Sequence, residues 1–151
     1  MYASAASQNA SLNILSHNSG ILKKGETSFL EVTINNTDEF ASIGSYKIKA
    51  QINIPSEIVS IADTGHVLPK GWKIISNNGS TLIVSNATDV ISPISDRTIL
   101  VALVGKKPGG PSTIIGQLSF SNGNAPGIEV GFLSGDNPAD DSSTTTIKVM
   151  R

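Results

Sequence analysis

The chain of 151 residues contains no cysteine. That excludes a disulfide framework and any thiolate metal site. Charge is scarce too. Lys and Arg number 11 and Asp and Glu 12, so 15% of residues are charged and the net charge is -1. An average soluble domain carries roughly 25%. No basic field exists to attract phosphate backbones, which argues against nucleic acid as a partner. Aromatic residues make up 5%, with a single Trp. No apolar run approaches the ~18 residues of a membrane span, so membrane insertion is not expected. Two histidines, His17 and His66, stand alone, without an HExxH pattern, and read as surface or loop residues. GxSxG, GxGxxG and Walker loops are absent, so nothing points to an enzyme.

Ser, Thr, Asn and Gly fill the gap, and within them lies a period of two. In Ser45–Pro55, Tyr46, Ile48, Ala50, Ile52 and Ile54 alternate with Lys47, Lys49, Gln51 and Asn53. A strand sends successive side chains to opposite faces, so this segment has one apolar and one wet face. Thr27–Ile34 alternates in the same way. Ser11–Leu15, a short stretch around Ile58–Ile61, Ser112–Phe120, Gly127–Phe132 and Thr144–Val149 read as further strands. Trp72–Ser76 and Ser80–Ser85 flank Asn77-Asn78-Gly79, a hairpin turn. Ile99–Val104 is apolar on both faces and should be a central strand or one covered on both sides. Lys23–Glu26 and Lys106–Pro111 read as a turn and a loop. About nine short strands at this spacing, with no amphipathic helix longer than a turn, predict an all-β, antiparallel, Ig-like β-sandwich. Residues 1–10 read as a flexible lead-in and 11–151 as a single sandwich domain. Ile48, Ile52, Leu30, Val32, Leu118 and Phe120 are the predicted core.

Two candidate sites stand out. Asp136, Asn137, Asp140 and Asp141 fall within six residues, and carboxylate oxygens in such a loop suit Ca²⁺. The spacing is not that of an EF-hand, and the alternative is a solvated turn built from turn-forming residues. Trp72, after Pro69-Lys70-Gly71, is the one aromatic placed to stack on a sugar or protein ligand, against the alternative of core packing. Four N-x-[ST] matches, at Asn9, Asn35, Asn78 and Asn86, read as turns.

The order of features resembles the Ig-like conserved repeat domain of large bacterial cell-surface proteins. A Gly-initiated strand ends in an Asn-rich turn, Gly25–Thr37, followed by INIPSEIVSI and by GDNPADDSSTTTIKV. The likeness spans Ser11–Val149. It implies a secreted or cell-surface module, often adhesive, whose partners are neighbouring repeats of its own chain. In Bacteroidetes-type members it implies export by the gliding-associated secretion system. The Leu68-Pro69 loop comes later than in that pattern, and the family has no shared catalytic residues. A weaker resemblance, through Gly25-Glu26-Thr27 and IPSEIVSI, is to cohesin modules. That likeness implies recognition of a protein partner.

Overall fold

A computed structural model describes residues 10–120 and 141–151. Among them are ten strands: β1 (Ala10–Ser16), β2 (Ile21–Lys23), β3 (Thr27–Asn36), β4 (Ile48–Asn53), β5 (Val59–Ile61), β6 (Lys73–Asn77), β7 (Thr81–Ser85), β8 (Ser95–Gly105), β9 (Gly109–Phe120) and β10 (Ser142–Met150). They form a four-stranded sheet, β1-β3-β8-β5, and a six-stranded sheet, β2-β10-β9-β4-β7-β6. The inward faces meet in one hydrophobic core, so the expected all-β sandwich is what the chain forms.

The alternation sets each register. In β3 the buried residues are Ser28, Leu30, Val32, Ile34 and Asn36, every second position. All six predicted core residues are buried. Gly116 interrupts the apolar face of β9 where β1 side chains pack down onto its backbone. A Cβ would sit 3.1 Å from both Ile14 Cγ2 and Leu12 Cδ2 and 3.3 Å from Ile52 Cδ1. β8 is central in its sheet, between β3 and β5. Past β5 the segment from Ala62 to Val67 runs along the same edge, bonded to Ala102 O and bridged to Leu100, while Leu100 and Val104 on the outer face stay half-buried.

Three expectations need correction, and a fourth lies outside the described residues. The central strand starts at Ile48, not Ser45. Tyr46 lies in a turn at φ 59°, its N–H bonded to Asn86 O at 3.0 Å. The period of two simply runs on into that turn. β2 is a strand that the sequence does not signal, and its last residue falls in the expected Lys23–Glu26 turn; only Leu22 of its three residues is buried, and so short an element shows no period. It pairs parallel to β10, so the second sheet is mixed. β9 begins at Gly109, inside the Gly-Pro stretch assigned to a loop, where it pairs with Val149. Gly127–Phe132 lies outside the described residues.

The first strand changes sheets to make β2. The turn His17–Gly20 holds Asn18, Ser19 and Gly20 at positive φ. At Gly20 a Cβ would also collide with the Thr146 carbonyl.

Ile52 is fully buried, while Lys49 points outward from the same strand. Ile52→Ala is expected to cost about 2–5 kcal/mol by cavity formation. Lys49→Ala should cost under about 0.5 kcal/mol. Urea unfolding measures both, and equal costs would contradict the assigned faces.

Candidate interaction surfaces

The sandwich has two poles. At one, β1 begins, β3 and β7 end and β4 begins. The loops 37–47 and 86–94 cross from sheet to sheet there. Such a crossing exposes backbone carbonyls to the core's edge, and each needs a donor. Two buried asparagines supply them. Asn36, 1% exposed, donates from Nδ2 to Ala41 O (2.8 Å), Ile91 O (3.0 Å) and Ser92 O (3.2 Å). Asn86, fully buried, donates to Gly44 O (2.8 Å) and Asp89 O (2.9 Å), and its Oδ1 accepts the Ile48 N–H (3.1 Å). Between them Ile43 and Ile91 form a bridge and are completely buried. The N-x-[ST] triplet at Asn86 therefore marks an interior tether.

Trp72 belongs to this plug. Its ring is 7% exposed and lies in the core cluster. Nε1 donates to Asp89 Oδ2 at 2.7 Å, and Arg97 grips the same carboxylate through Nε (2.7 Å) and Nη2 (3.3 Å). The exposed stacking platform is thus corrected to a packed indole, since a partly buried Asp89 offers its N–H a partner.

Outside the plug the pole presents apolar surface. Phe40 is 84% exposed, Ile94 65% and Val90 50%. Asp38 holds the first of these loops. Its carboxylate accepts the N–H groups of Ala41 (2.8 Å) and Phe40 (2.7 Å), and these bonds keep its pKa below the usual carboxylate value. A lowered folded-state pKa means the stabilisation is present at neutral pH and fades as pH falls through the carboxylate range. Ile94 N–H reaches Asp38 O at 3.2 Å, which ties the two loops together. Ile94 sits at φ 53°, a region a β-branched residue rarely enters. Beside it an open groove of about 390 Å³ is lined by Ser11, Asn35, Thr37, Ile94 and Asp96.

At the opposite pole the chain leaves through β10. Lys23, Lys24, Lys106, Lys107 and Arg151 are all exposed there. The pole is knit by Lys24 N–H to Met150 O (3.0 Å) and Gly25 N–H to Gly105 O (2.8 Å). The outer face of the six-stranded sheet carries Thr, Gln and Asn side chains. The described strands of that sheet contain Lys23, Lys49, Lys73 and Lys148 and no Asp or Glu.

Of the candidate calcium ligands, Asp136 and Asp140 lie outside the described residues. Asp141 is 9% exposed and its carbonyl accepts the Leu118 N–H at 2.7 Å. Among the described residues no three His, Asp or Glu side chains gather closely enough to share a metal. His66 is a clamp. Its Nδ1 accepts the Ala102 N–H at 2.9 Å, which leaves the proton on Nε2, 2.7 Å from Ala62 O. No described helix is long and apolar enough to cross a membrane.

No protein-family model matches the chain, and no curated protein matches it in sequence. Solved structures do resemble it. A cohesin in a type I cohesin–dockerin complex from Clostridium thermocellum aligns at TM-score 0.53 and 8% identity, over 93% of this chain and 99% of that one. A CARDB domain from Pyrococcus furiosus, in complex with di-metal ions, aligns at TM-score 0.52 and 11% identity, over 99% of each chain. The pilus 2b backbone protein of group B streptococcus aligns at TM-score 0.57 and 15% identity, over 89% of this chain and 56% of that one. At these identities the likeness is one of fold.

The asparagines carry a prediction. Asn86→Ala leaves the Asp89 carbonyl and the Ile48 N–H without partners in the interior and the Gly44 carbonyl with only the Lys47 N–H at 3.3 Å, and should cost about 3 kcal/mol. Asn78 caps the solvent-facing β6–β7 turn through Ser80 and Thr81 N–H. Asn78→Ala should cost about 1 kcal/mol or less. Denaturant midpoints give both, and an Asn86 loss no larger than that of Asn78 would contradict the tether.

Proposed function

We propose that this chain is a load-bearing structural or adhesive module of a secreted or cell-surface bacterial protein, with residues 11–151 as one sandwich unit and neighbouring domains as its partners. The observation that supports this most is where the strands enter and leave. β1 begins at the first pole and β10 ends at the second, about 30 Å away at ~3.3 Å per residue. β1 is laddered to β3 from Ala10↔Asn36 to Ser16↔Leu30, and β10 to β9 along most of its length. Tension between the two ends runs along both strands, so their hydrogen bonds are loaded in shear and must fail together. The seam between β1 and β10 is closed by side chains. Ile14 N–H donates to Ser143 Oγ (3.1 Å), and Ser16 Oγ donates to Thr146 O (3.0 Å). The pilus backbone and cohesin likenesses support a structural or recognition role, and the absence of a catalytic motif in the sequence supports a non-enzymatic one.

A second reading, a recognition module, is favoured by the lysine-only charge of the six-stranded sheet. That face suits an acidic protein surface.

Single-molecule pulling tests the first reading. With handles at Ala10 and Arg151 the domain should rupture in one event at high force. With handles at Ala10 and Ser142, both at the first pole, β1 should peel pair by pair at clearly lower force. Forced rupture reports the unfolding barrier. Equal forces in the two geometries would contradict a load-bearing role.

A further inference from the structure

The two poles are complementary. The first presents Phe40 and Ile94, each more than half exposed, beside the acidic side chains of Asp38, Glu39 and Asp96. The second presents Lys23, Lys24, Lys106 and Lys107, which outnumber the exposed Glu26 and Glu57 beside them, with Met150 43% and Ile21 48% exposed alongside. Apolar surface within a polar rim is the anatomy of a protein interface. Here the first rim is acidic on balance and the second basic on balance, on one molecule.

The first pole is also held rigid at a cost. Ile94 keeps an exposed apolar side chain at φ 53°, where Asn or Gly would sit without strain. Strain of this kind persists only where the surroundings over-determine it, and it clusters at functional surfaces. The surroundings do so here, because Asp38 bonds Ile94 from one side while Asn36 bonds Ser92 from the other. Nothing in the core calls for Ile94. Its side chain is 65% exposed.

We propose that copies of this domain dock head to tail. The Phe40–Ile94 knob and its acidic rim on one copy seat against the Lys23, Lys24, Lys106 and Lys107 pole of the next. This contact is heterologous, the same two unlike patches meeting at each joint, so it propagates as a row and does not close into a pair. It deepens the load-bearing reading and rests on it, since a row joined at the poles transmits force along the strands. The occupant is a second copy of this chain because its own exit pole supplies the opposite charge and the apolar edge. Domains joined by a short linker see one another at an effective concentration of about 1 mM, so a dissociation constant near or below that value suffices.

Sedimentation velocity on the free chain, from micromolar to about 1 mM, reads this directly. At low salt the mean sedimentation coefficient should climb with concentration without a plateau at dimer, and the climb should shrink at high salt. Ile94→Gly should unfold at the same or a higher denaturant concentration, because it relieves the positive φ. It should nonetheless associate several-fold more weakly. The double variants Glu39→Lys/Asp96→Lys and Lys24→Glu/Lys107→Glu should each lose association alone and regain it when mixed. Monomer at every concentration, a plateau at dimer, or failure of the mixture to recover would overturn the docking. The pulling comparison above does not depend on it, so this failure and failure of the load-bearing reading are distinguishable.

Discussion

The structure depends on closing the ends of a two-layer core. Period-two strands bury an apolar face without difficulty along their length. At a pole the chain must cross from one sheet to the other, and the crossing segment brings polar backbone against the core's edge. This chain meets the problem with side-chain amides. Asn36 and Asn86 together hold carbonyls of Ala41, Gly44, Asp89, Ile91 and Ser92. The Trp72–Asp89–Arg97 contacts brace the same loops. Without the amides the carbonyls of Ala41, Asp89 and Ser92 lose the donors that face them at the core's edge.

The low charge of the composition follows the same logic. The seam between the sheets at β1 and β10 is closed by short uncharged groups, Ser16 and Ser143, and Thr33 pairs with Thr98 across β3 and β8 within one sheet. A hydroxyl can give and accept a proton at close range without the desolvation cost of an ion. Charge is left to the poles and to the outer faces of the sheets, as at Glu31 on β3 and Lys49 on β4.

What the sequence shows, and what it hides, divides along range. The alternation in Thr27–Ile34 and Ile48–Ile54 is local, and it revealed strands, faces and core before any coordinates. The pairing of β2 with β10 joins residues far apart through a segment too short to have a period. The asparagines look like turn residues because turn chemistry and interior tethering use the same side chain. Only the partner 55 residues away tells Asn36 from an ordinary turn asparagine. Trp72 was ambiguous for a similar reason. Its role hangs on Asp89, which no local pattern connects to it. The polar asymmetry was present in the sequence as Lys23-Lys24 and Lys106-Lys107. Those pairs become one patch only once the β2–β3 and β8–β9 turns are seen to meet at Gly25 and Gly105.

On the load-bearing reading, the first pole is a rigid plug continuous with the core. Hydrogen exchange of the native chain tests that most directly. The N–H groups of Ile43, Ile48 and Ile91, bonded to Ile91 O, Asn86 Oδ1 and Ile43 O, should exchange as slowly as those of β4 and β9 in the core, only through global unfolding. Exchange of these three amides at the rate of open loops, with the core still protected, would contradict it.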